Sequence, residues 1–117
     1  MDLKDIIDKQ LAMDEKHGFP VKFDSLSEKY TQLNKDLVGL FGEIGEFSNV
    51  VKKINLKLDR GEEYDFDLAR GEDLLKEELV DTFIYIIRIS QIIGIDLEVE
   101  TLGKIDFNEQ RYAKLRR

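Results

Sequence analysis

The sequence predicts an all-α fold: a four-helix-bundle-like domain of four to five helices, completed by oligomerisation. Three observations carry that prediction. Apolar residues recur at i, i+3, i+4 and i+7 over long stretches, the spacing of one helix face. The 117 residues contain one proline, Pro20, so little interrupts a helix. Hydrophobic residues (42%) and charged residues (37%) also dominate the composition, which disfavours a turn-rich sheet. The length fits one domain spanning 1–117, small enough that association of copies adds useful buried surface.

The elements follow in order. Ile6, Ile7, Gln10, Leu11 and Met13 make a stripe on an opening helix, which Gly18 and Pro20 stop. Asp24 or Ser25 caps the next helical stretch, with Glu28 at the reciprocal position of a capping box. From about Lys35, the series Leu37, Leu40, Phe41, Ile44, Phe47, Val51, Ile54 and Leu58 marks a core-facing helix. Between Asp59 and Gly71 the periodicity lapses among glycines and charges, which predicts a loop or lid where Tyr64, Phe66 and Leu68 dock locally. Glu72 to Ile93 is apolar on nearly every side and predicts the central, most buried helix. Gly94 ends it and Asp96 caps a last helix carrying Leu97, Leu102, Ile105 and Tyr112, before the basic tail Lys114-Leu115-Arg116-Arg117.

A net charge of −7 argues against nucleic acid as a partner, because binding to a polyanion is driven by cationic side chains. It permits a small phosphorylated substrate when carboxylates hold a divalent cation against the phosphates. The absence of cysteine removes disulfides, thiolate zinc sites and cysteine nucleophiles, and suits a cytoplasmic location. Apolar runs fall short of membrane-spanning length, and the N-terminus reads as unprocessed, so no membrane association is expected.

Glu43 and Glu46 stand three residues apart, so both carboxylates share a helix face and border the apolar stripe, with Glu43 nearer the core. Glu78 and Asp81 repeat that spacing on the most apolar helix, where an unpaired charge is costly. One such pair alone reads as ordinary solvated charge. Two pairs in a four-helix pattern point to a shared cation, and oxygen donors without cysteine suit Mg2+, or Mn2+, better than zinc or copper. Lys104, Asn108 and Arg111 form a polar stripe at i, i+4 and i+7 that can grip phosphate or sugar, although alone it reads as a solvated basic face. Lys53 is a further phosphate-binding candidate, seven residues beyond Glu46, though a solvated lysine explains it as well. His17 receives no role.

Glu43-x-x-Glu46 followed by Glu78-x-x-Asp81 resembles the MazG-like all-α nucleoside triphosphate pyrophosphohydrolase superfamily, over roughly residues 24 to 112. Lys104, Asn108 and Arg111 resemble that family's KxxxNxxR motif. The resemblance implies that both acidic pairs bind Mg2+ and that a (deoxy)nucleoside triphosphate is split into monophosphate and pyrophosphate, for pool house-cleaning or signalling. It implies attack of a metal-activated water on the α-phosphorus; the four acids hold the metal, or one of them, with Glu46 the candidate, instead positions or deprotonates that water. The 31 residues between Glu46 and Glu78 exceed the spacing in many relatives and enlarge the expected loop. Phe19, Phe23, Tyr30 and Tyr85 are the aromatics available to stack on a base.

A di-iron bundle is disfavoured because it needs Glu-x-x-His motifs, which neither acidic pair supplies. The alternative from another class is a helical interaction or antitoxin-like module whose acids keep it soluble. Apolar positions such as Ile84 and Ile87, on sides that a small bundle cannot cover alone, predict a homodimer or homotetramer.

Overall fold

The computed structural model describes residues 1–115, so Arg116 and Arg117 of the basic tail lie outside it. It is all-α among those residues: α1 (Leu3–His17), α2 (Leu26–Arg60), a 3-10 turn (Gly61–Glu63), α3 (Leu68–Ile93) and α4 (Leu97–Ala113).

Short polar side chains set the helix starts by satisfying amide groups left open in the first turn. Asp2 and Asp5 form the reciprocal box on α1, with Asp2 Oδ1 accepting from the Asp5 amide at 3.0 Å and Asp5 Oδ2 from the Asp2 amide at 3.1 Å. Ser25 Oγ accepts from the Glu28 amide (3.2 Å), Asp67 Oδ1 from the Ala69 amide (3.0 Å) and Asp96 Oδ1 from the Val99 amide (3.1 Å). Gly18 and Gly94 close α1 and α3 in the left-handed conformation, at φ 75° and 79°, which glycine enters without steric cost.

Two boundaries differ from the sequence expectation. The stretch from Ser25 and the helix from Lys35 are one rod of 35 residues, since nothing between them removes an amide donor. The expected loop from Asp59 to Gly71 is shorter, because α2 runs to Arg60 and α3 begins at Leu68. Lys57 Nζ draws the connection back onto α2 by donating to the carbonyls of Gly61 (3.0 Å) and Tyr64 (2.8 Å). Phe66 packs against Gly71, where a Cβ would collide with the ring, so the segment docks as expected.

α2 and α3 pair along their length, α1 lies against α3, and α4 packs extensively against none of them. The amide of Lys4 donating to Glu98 Oε2 (3.1 Å) ties α4 to α1. The apolar core is small: Ile7, Val50, Ile87 and Ile92. α3 supplies two of those four, yet its other flank, Leu79, Val80, Phe83 and Ile86, is open. The radius of gyration is 18.6 Å, against about 13 Å for a compact domain of this length.

Candidate active site

α2 presents Glu43 and Glu46 toward Glu78 of α3, and one carboxylate oxygen from each lies within 4.8 Å of the others. Glu43 and Glu78 are half-buried and Glu46 is exposed, so Glu43 is the more core-ward of its pair. Crowding three acids raises the Glu78 carboxyl from its usual 4.5 to about 7. Its hydrogen-bonding proximity to Glu43 contributes most, then burial, then Glu46, with like-charge repulsion from both. Glu78 Oε2 is also a buried acceptor without a hydrogen-bond partner. An all-oxygen set with an unsatisfied buried acceptor fits a hard divalent cation. Asp81 is exposed and sits outside this trio, in the adjoining cleft with Glu43.

That cleft has a volume of about 500 Å3. Met13, Phe19, Ile84 and Tyr85 give it apolar and aromatic surface, and Lys35, Glu43 and Asp81 join it to the carboxylates. Tyr85 lies directly on the backbone of Gly39, where any Cβ would meet its ring. Of the aromatics named from sequence, Phe19 and Tyr85 line the cleft, whereas Phe23 and Tyr30 do not.

The buried end of the cleft was not anticipated. Arg88 Nε donates to Asp36 Oδ2 at 2.7 Å, and Nη2 to Asp36 Oδ1 at 3.2 Å. Nη2 also donates to the Pro20 carbonyl (3.1 Å) and Nη1 to that of Phe19 (3.5 Å), while Nη1 lies 3.0 Å from Asp14 Oδ2. Burial works against the charge on Arg88, but its bonds to Asp36 and Asp14 outweigh that and raise its pKa above the ordinary value. Gln10 Nε2 donates to Asp14 Oδ1 (2.9 Å) and Gln32 Nε2 to Asp36 Oδ1 (2.8 Å). The signal in the sequence was Arg88 itself, a charge inside the apolar run Phe83 to Ile89 that demanded a partner.

Lys104, Asn108 and Arg111 stand on α4, and none of the three lines the cleft. Lys104 Nζ sits 4.7 Å above the Phe107 ring, and Arg111 stacks on Tyr112 at 4.8 Å while donating to its hydroxyl at 2.8 Å. Asn108 Oδ1 is buried without a hydrogen-bond partner. Lys53 is half-buried on α2 and does not line the cleft, and His17 is exposed at the end of α1.

No family model matches the chain. It is similar to dCTP pyrophosphatase 1 of Homo sapiens, 31% identical over 85 residues that make up 73% of this chain and 48% of that protein. The chain thus spans about half the length of the curated relative it matches.

Proposed function

We propose that this protein is a Mg2+-dependent nucleotide pyrophosphohydrolase that converts a (deoxy)nucleoside triphosphate to monophosphate and pyrophosphate. The observation that carries the proposal is the convergence of Glu43, Glu46 and Glu78 beside a nucleoside-sized cleft that shares Glu43. Similarity to a protein named as a nucleotide pyrophosphatase supports a hydrolase of this general kind.

Glu43, Glu46, Glu78 and Asp81 would hold the divalent ion, which supplies positive charge to the triphosphate and acidity to a water. Glu46, the exposed member of the trio, would position that water or accept its proton. The cleft surfaces of Phe19 and Tyr85 would exclude water around the base. Lys104, Asn108, Arg111 and Lys53 do not line the cleft within one chain, so a role for them at the phosphates and sugar depends on association of copies.

A homodimer or homotetramer is part of the reading. The chain exposes 8,993 Å2, roughly 2,400 Å2 above the expectation for a compact monomer of 13.7 kDa. That excess matches the scale of an obligate interface. The open flank of α3 and the apolar residues of α4, Val99, Leu102, Ile105 and Phe107, are the surfaces a second copy would cover. No helix among the described residues is long and apolar enough to cross a membrane, and a cytoplasmic location belongs to the proposal.

The test is incubation with a panel of nucleoside triphosphates, with and without Mg2+, separating the products by chromatography. Metal-dependent release of monophosphate and pyrophosphate, lost in Glu78→Ala, is the expected result. No turnover, together with no calorimetric heat of Mg2+ binding, would instead favour a helical interaction module.

A further inference from the structure

We propose that Gln10 and Gln32 select a nucleobase carrying an exocyclic amino group, such as cytosine or adenine, over the keto bases uracil and thymine. This rests on the cleft being the nucleoside site of the proposed hydrolase.

The pattern Gln-x-x-x-Asp occurs twice, as Gln10 with Asp14 on α1 and Gln32 with Asp36 on α2. A free glutamine amide discriminates poorly, because it turns over to present oxygen or nitrogen as the ligand requires. Here each Nε2 is committed to a carboxylate, at 2.9 and 2.8 Å. Turning either amide over would press its oxygen against a carboxylate oxygen in a poorly solvated place. The carboxylates are themselves fixed, because Arg88 holds both Asp36 oxygens and Asp14, and is anchored by the Phe19 and Pro20 carbonyls.

The two glutamines are half-buried and line the cleft, so an incoming base can touch them. Asp14 and Asp36, at 1% and 3% exposure, are too enclosed to do so, and with Arg88 they are positioning residues. Each amide keeps its carbonyl oxygen for the ligand, an acceptor that suits an amino group and repels a keto oxygen. The one N–H left on each nitrogen complements the ring nitrogen beside the amino group in cytosine and adenine. Two carboxylates against one guanidinium leave a net negative charge behind the amides. That field also favours the positive edge of an amino base.

dCTP and dUTP isolate the effect, since their principal difference is amino against keto at C4. The wild-type protein is expected to show kcat/KM at least tenfold higher for dCTP, because a site that hydrogen-bonds a donor rejects the analogue lacking it. Gln10→Met and Gln32→Met are each expected to shrink that ratio, with dCTP losing more than dUTP. A wild-type ratio near one, or variants that lower both substrates equally, overturns the proposal. Should no triphosphate turn over, the hydrolase reading fails separately, and calorimetric titration with dCMP and dUMP then decides this one: tighter dCMP binding supports it, equal or absent binding overturns it.

Discussion

Arg88→Met tests whether the buried end of the cleft depends on charge neutralisation. The substitution keeps most of the side-chain volume but leaves Asp14 and Asp36, whose side chains are 2% and 4% exposed, without their cation. Removing one partner of a buried ion pair costs about 3–5 kcal/mol, because the surviving charge is neither solvated nor paired. With an unfolding entropy of about 2.1 cal/mol/K per residue, that lowers the Tm of a 117-residue chain by about 12–20 °C. Calorimetry and urea unfolding at matched protomer concentration measure the loss, since association would otherwise shift the midpoint. Replacing all three residues with apolar ones of similar size is expected to recover most of the stability. A loss below about 1 kcal/mol for Arg88→Met would refute the reasoning, showing that water reaches the two carboxylates.

Further outcomes follow from the site and the surface. Because the folded protein keeps a proton on Glu78 up to about pH 7 whereas an unfolded chain loses it near 4.5, metal-free stability should fall as pH rises through that window. Denaturant titrations from pH 4.5 to 7.5 should show that slope flattened in Glu78→Gln, and Mg2+ affinity should rise toward pH 7 and then level off. Gly39→Ala drives a methyl group into the Tyr85 ring, so a stability loss of about 1–3 kcal/mol and a raised KM for the nucleotide are expected. Phe83→Glu places a charge on the open flank of α3 and should shift the protein toward monomer, as read by light scattering. Arg111→Ala should raise KM for the triphosphate while leaving Mg2+ affinity, measured by calorimetry, unchanged.

Much of the architecture was legible because periodicity reports which faces are apolar. The helix through Leu37 to Leu58 and the one through Leu79 to Ile93 both form, and Gly94 and Asp96 punctuate the chain as their chemistry dictates. Of the four acids read together from their spacing, Glu43, Glu46 and Glu78 come close to one another, because Glu43 and Glu46 share a face of α2 that meets α3, whereas Asp81 stands outside the trio. The connection was less legible: Asp59 and Arg60 look like loop residues until Lys57 is seen bonding the carbonyls beyond them. Arg88 with Asp14 and Asp36 was missed because its partners are 52 and 74 residues away in sequence, and local spacing carries no information about such pairs.

The unbroken α2 also governs where this protein can change length. Asp36 and Glu43 lie seven residues apart on one rod about 52 Å long, so the specificity end of the cleft and the carboxylates share a single helical register. Inserting one residue between them would swing Glu43 by about 100° and carry it away from Glu78. The connection at 61–67 carries no such constraint, because the chain has already left α2 and Asp67 restarts the helical phase at α3. A change of length between the acidic pairs would therefore disturb only the Lys57 bonds and the Phe66 contact if made at 61–67, whereas the same change inside α2 would take the carboxylates out of register.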